Sequence, residues 1–172
     1  MNFFSTANEI VKTPSEFFKK TSSVKGYYDP IVFACICGLF PQIIMGAIVS
    51  PVIAFLVAFL FSFIIRLFID SAVLHGLFKV AGGKATYEST FQILAYSYIA
   101  QFFTALPIAA SQAGLTPDIS PILLLYAIYL LTIGGQFVHN LNVGKAVTVA
   151  ILWSFWYLIT AVVLFAVMEP YI

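Results

Sequence analysis

The sequence predicts an all-α integral membrane protein: a bundle of five transmembrane helices preceded by a short amphipathic N-terminal helix. Three observations carry this reading. Of 172 residues, 62% are hydrophobic and only 9% are charged, against roughly 25% charge in soluble domains. The charges are clumped, so that residues 30–65, 89–117, 119–144 and 146–168 carry none. Each of these runs exceeds the ~20 residues with which a helix crosses a bilayer. The basic residues also segregate. With the N-terminus inside, Lys12, Lys19, Lys20, Lys25, Lys79, Lys84 and Lys145 all fall on the inner side, and the outer loops hold no Lys or Arg. The positive-inside rule then makes the N-terminus cytoplasmic and puts the C-terminus on the opposite side.

Residues 1–29 read as a cytoplasmic segment. They lack the apolar core of a signal peptide and carry Glu9 and Glu16 among the lysines. Thr13, Pro14 and Glu16 match a capping box with proline in the first turn, predicting a helix over about 14–22. Its Phe17, Phe18, Lys19 and Lys20 suit a helix lying flat at the headgroup level, and are the candidate lipid contacts. The first span runs over about 30–49, with Pro41 as a kink. The second, 51–81, opens on Pro51 and ends at Gly82-Gly83, a left-handed helix stop. The third, 89–110, follows a second capping pattern at Ser89 and Gln92. Ser120-Pro121 starts the fourth, 120–138, and Pro170 stops the fifth, 145–168. Residues 111–119 leave room for a re-entrant piece. The spans together form one domain, 30–172, and little chain remains for a soluble one.

Few side chains offer chemistry. Arg66 and Asp70 lie on one face of the second span at i,i+4 spacing, close enough to pair. Counted from Pro51 they sit about 22 and 28 Å into a core about 30 Å thick. Ionisable groups at such depth mark either a self-satisfied pair or a site for an ion, proton or lipid headgroup. Ala54, Ala58 and Ser62 precede Arg66 at four-residue steps, which places the second span at the centre of the bundle. His75 and His139 end the second and fourth spans on the inner side and suit interfacial hydrogen bonding. Gln42 and Gln101 fall near mid-bilayer, where buried amides join helices. Trp153, Trp156 and Tyr157 lie too deep for an interfacial belt and read as packing. Cys35 and Cys37 point about 200° apart on a helix, which suits neither a disulfide nor a shared metal. No catalytic constellation, phosphate loop or cofactor motif is present, and no metal-ligand spacing.

Two stretches resemble a known family. Tyr27-Tyr28-Asp29-Pro30 at the start of the first span, and LHGLFKVAGGKATYESTFQILAYS from Leu74 to Ser97, are similar to the Yip family of Ypt/Rab-GTPase-interacting membrane proteins. The resemblance rests on the double glycine, the short polar inner loop and the pair Ala95-Tyr96, and it extends over nearly the whole chain. It implies five spans, a cytoplasmic N-terminus and a role in membrane traffic or shaping. It also implies prenylated Rab-type GTPases as partners. The trafficking members carry a long cytosolic N-terminal region where this chain has 29 residues before its first span. That departure weighs against a GTPase partner and toward a compact prokaryotic-type member in a cytoplasmic membrane.

The function expected is therefore a non-enzymatic scaffold or adaptor that works through membrane lipids and through copies of itself or other membrane proteins. A net charge of only +1 argues against nucleic acid as a partner. The rival is a small transporter, channel or lipid-moving protein with a polar track of Arg66, Asp70, Gln42 and Gln101. No inverted repeat supports that rival.

Overall fold

The structure, a computed structural model, describes residues 2–46, 52–103 and 120–168, and these contain helices and no strand. In chain order the helices are α1 (Phe3–Lys12), α2 (Pro14–Thr21), α3 (Tyr28–Gly46), α4 (Val52–Val80), α5 (Tyr87–Ser97), α6 (Ser120–Phe137) and α7 (Val143–Met168). The chain is helical again over 99–103, after an interruption at Tyr98. There the N–H of Tyr98 reaches back only three residues, to the Ala95 carbonyl. The possible re-entrant piece at 111–119 lies outside the described residues.

Two N-terminal helices stand where the sequence pointed to one. The side chain of Asn2 caps α1 by accepting the Ser5 N–H at 3.2 Å. Lys12 in the last turn complements the helix dipole. The capping box expected at Thr13 and Glu16 does not form, because the end of α1 claims Thr13 first. The Thr13 hydroxyl donates to the Glu9 carbonyl at 3.2 Å, and its N–H donates to the same oxygen at 2.9 Å. A pair between Lys20 and Glu9, 3.1 Å apart, ties α2 back to α1.

The expectation that Phe17 and Phe18 contact lipid is corrected. Their residues are 5% and 1% exposed, and the Phe17 ring meets Tyr96 edge-on at 4.9 Å. Helix α2 packs on α5 and α6, so its apolar face is spent inside the protein. Lys19 lies over the Phe137 ring at 4.4 Å, a cation–π contact, and Lys20 pairs with Glu9, while both lysines stay exposed.

Among the described residues, α5 is the most enclosed helix. Every residue of α5 from Thr90 to Ser97 is buried, and α5 touches α2, α3, α4 and α6. Close approach by α6 depends on Gly134, since a Cβ there would collide with the side chain of Ile93. The small residues Ala54, Ala58 and Ser62 have side chains outside the described residues. Among the described residues, Val143–Thr160 is long and apolar enough to cross a membrane, while Tyr28–Gly38 and Ile122–Phe137 are shorter apolar helices.

Candidate functional site

The singled-out polar residues sort into two clusters on different parts of α4. In the first, Arg66 and Asp70 do pair, with Nε 3.3 Å from Oδ2. Among the described residues, the side chains from other helices that hydrogen-bond to them stand on α7. The Trp156 indole N–H donates to Asp70 Oδ1 at 3.0 Å, and the Trp153 indole N–H donates to the Asp70 carbonyl at 3.3 Å. The Arg66 guanidinium donates from Nη2 to Thr160 Oγ1 at 3.0 Å and lies over the Tyr157 ring at 4.8 Å. Gln101 joins the same place by donating to the Tyr157 hydroxyl at 3.2 Å. Asp70 is the buried partner, its side chain 2% exposed against 27% for Arg66.

Spacing explains how α7 supplies four partners. Residues 153, 156, 157 and 160 recur at three- and four-residue steps, which is one helix face. That face meets α4 at Asp70 and one turn away at Arg66. Each charge thus gains a hydrogen bond from protein, and the guanidinium also gains an aromatic face.

The second cluster holds both histidines. His75 Nδ1 is 2.8 Å and His139 Nε2 is 2.9 Å from the hydroxyl of Thr90 on α5, which also lies 3.2 Å from the Thr86 carbonyl. Thr90 has one hydroxyl proton for these three neighbours, so at least one imidazole donates to it. His139 stacks on Phe78 at 4.2 Å and is completely buried. Burial, then the neighbouring His75 and Lys79, pull its imidazole down to about 4. Among the described residues, no three His, Cys, Asp or Glu side chains converge as a metal site.

The double glycine belongs to this cluster, and its two members act differently. Gly82 has φ of +95°, the left-handed stop expected after α4. Gly83 makes room for His139. A Cβ there would lie 2.6 Å from His139 Nδ1 and 2.8 Å from the Phe78 carbonyl oxygen. Lys145 closes the loop by donating to the Ala81 carbonyl at 3.0 Å, one of the orphan acceptors at the end of α4.

The capping pattern at Ser89 and Gln92 is also corrected. Thr86 is the cap, accepting the Ser89 N–H at 3.3 Å. Gln92 instead donates to the carbonyls of Val24 and Gly26, at 2.8 and 3.3 Å, and Glu88 accepts the Gly26 N–H. Together they hold the segment between α2 and α3 onto α5. Reading the sequence missed Thr90, the tie from Glu88 to Gly26 and the polar use of the α7 aromatics. The spacing of 153, 156, 157 and 160 was the signal available for the last. The side chain of Gln42 lies outside the described residues.

No curated protein and no solved structure matches the chain. A family model, the Yip1 domain, matches residues 8–167, nearly the whole chain and both clusters within it. The chain belongs to the Yip1 domain family.

Proposed function

We propose that this Yip1-domain protein is a five-span integral membrane protein with a cytoplasmic N-terminus, acting as a non-enzymatic scaffold or adaptor in membrane organisation or trafficking. It works through lipid contacts and through association with itself or other membrane proteins. The observation that carries this reading is the internal use of the intramembrane charges. Arg66 and Asp70 are engaged by Thr160, Trp156 and Tyr157 of α7, so they lock two helices together. Their role is to hold the bundle, whose outer surface is then free to associate. The outward side chains of α7 support the membrane setting, since Phe155, Ile159 and Val162 are 59%, 59% and 67% exposed. A stripe of large apolar groups on one helix is stable against acyl chains and costly against water.

Native mass spectrometry of the protein released from its own membrane tests the scaffold. A discrete oligomer, or a complex retaining lipid or a protein partner, is the expected result. A bare monomer overturns it. Flux through reconstituted vesicles supplies the second arm. Arg66→Ala is expected to leave flux at the level of empty vesicles, as the unaltered protein does. A change in flux with the helical signal retained would favour a transporter built on Arg66, Asp70 and Gln101.

A further inference from the structure

With Phe17 and Phe18 buried, the element left to meet the bilayer surface is α1, and its residues divide into three faces. Taking Phe3 as zero, Ala7 and Ile10 lie within about 40° of it, Phe4 and Val11 fall about 80–100° round, and Ser5, Asn8, Glu9 and Lys12 about 140–240°, with Thr6 at the junction near 300°. The first face packs on the protein: Ile10 is completely buried, and Phe3 lies 5.1 Å from Phe33 and 5.6 Å from Phe102. The second face is apolar and open, with Phe4 79% and Val11 45% exposed. The third is polar and exposed apart from Glu9, which is half-buried and tied to Lys20. A helix with the bundle on one side, apolar groups below and polar groups above lies in a membrane interface.

Two observations identify what covers Phe4 and Val11. The first is level. Phe33 is four residues past Asp29, so Phe3 meets α3 about 6 Å inward of that carboxylate, one turn inside the first span. The contact of Phe3 with Phe102 brings the 99–103 turn, after the interruption at Tyr98, to that level and not to the mid-bilayer depth counted from Ser89. The second is continuity. Phe4, Phe3, Phe102 and Phe103 form a string of rings with centroids 5.5–5.7 Å apart. Phe103, at the far end, is itself 42% exposed and belongs to the stretch read as the third span. Phe4 therefore extends the bundle's own outward flank.

We infer that α1 is an interfacial helix of the inner leaflet that inserts Phe4 and Val11 among the acyl chains beside the bundle. The inference rests on the membrane-spanning reading above. It makes α1, and not α2, the part of the chain that wedges one leaflet.

The test is site-directed spin labelling of the full chain in phosphatidylcholine–phosphatidylglycerol vesicles, with Cys35→Ala and Cys37→Ala as background. Labels are placed by Phe4→Cys, Val11→Cys, Ser5→Cys and Lys12→Cys, all at exposed positions. At 4 and 11 the label should collide severalfold more with oxygen than with a water-soluble nickel chelate, at a depth of about 5–10 Å. At 5 and 12 the preference should reverse. Equal nickel access at all four positions overturns the inference. So does shielding of 4 and 11 from both reagents, which would mean a protein partner covers them. A label at Ile159→Cys separates the two readings. Oxygen access at 159 with nickel access at 4 sinks only the role of α1, whereas nickel access at 159 sinks the spanning reading itself. Should the alanine background misfold, benzophenone side chains at 4 and 5 in the natural background give the same contrast. Lipid adducts are expected from 4, and their absence overturns the inference.

Discussion

Removing Asp70 is the perturbation that tests most directly how this bundle is held. In Asp70→Ala, Arg66 keeps Thr160 and the Tyr157 ring but loses its counter-charge, and Trp156 loses its acceptor. Breaking a buried pair from one side costs about 3–5 kcal/mol, because the partner charge stays behind. Arg66 is about a quarter exposed, so the low end, about 3 kcal/mol, is the figure to expect. That is roughly a hundredfold in the folding equilibrium. The double substitution Arg66→Met with Asp70→Leu removes both charges and is expected to recover most of the loss, leaving the unpaired Trp156 donor at about 1 kcal/mol. The protein carries its own probe. Its two tryptophans, Trp153 and Trp156, both donate to Asp70, so intrinsic emission during unfolding in mixed micelles reports this contact. A loss below about 1 kcal/mol in Asp70→Ala, or a double variant no better than the single ones, would refute the claim that the pair is a structural lock.

Three further outcomes follow from the second cluster. Thr90→Val deletes the hydroxyl shared by His75 and His139 and should cost about 2 kcal/mol by chemical unfolding, with Thr90→Ser recovering most of it. Gly83→Ala sets a methyl against His139 Nδ1 and the Phe78 carbonyl. It should cost about 1–3 kcal/mol, more than the roughly 1 kcal/mol of strain from Gly82→Ala at positive φ; the reverse order in thermal unfolding would contradict the packing described. The third outcome is a pH dependence with a fixed sign. The folded pKa of His139 is lowered from 6.5 to about 4, so below 6.5 the unfolded chain binds the proton that the folded one refuses. The contribution of His139 to stability is full above 6.5, falls as pH drops toward 4 by up to about 3 kcal/mol, and changes no further below. His139→Phe should remove that slope, as read by unfolding midpoints at matched ionic strength.

What was legible in the sequence is what local spacing determines. The i,i+4 pair at Arg66 and Asp70 could be read because both members lie on one helix. Its partners could not, since Trp156 and Thr160 stand 86 and 94 residues away from the residues they bond and their types alone suggest packing. Both capping patterns failed for one reason: a competing group was nearer. Thr13 was taken by Glu9 and Ser89 by Thr86, and Gln92 was free to reach the 24–26 segment. The double glycine was read as a single stop because φ is a local property. The demand on Gly83 comes from His139, which only the fold brings near. Helix α1 escaped notice because its ten residues alternate three kinds of face, and a face gains meaning only from what it touches.

On the membrane-spanning reading, the polar groups divide the work of assembly in a way that follows from the solvent. Between helices in lipid, apolar surface gives little preference for protein over acyl chain, so packing detail and side-chain hydrogen bonds must fix which helices adjoin. Among the described residues such bonds form three groups: Asp70 and Arg66 join α4 to α7, Thr90 and its histidines join α4 to α5 and to the loop after α6, and Gln92 and Glu88 join the 24–26 segment to α5. The cross-link between α1 and α2 is of another kind, a pair between Lys20, 70% exposed, and Glu9, and exposed pairs contribute at most about 1 kcal/mol. The bundle is therefore fixed by polar locks, whereas α1 is held by apolar contact on one side and, on the reading argued above, by lipid on the next. On that reading α1 meets the bilayer with only apolar contact and one exposed pair tying it to the bundle, so a change in leaflet packing would act on α1 directly.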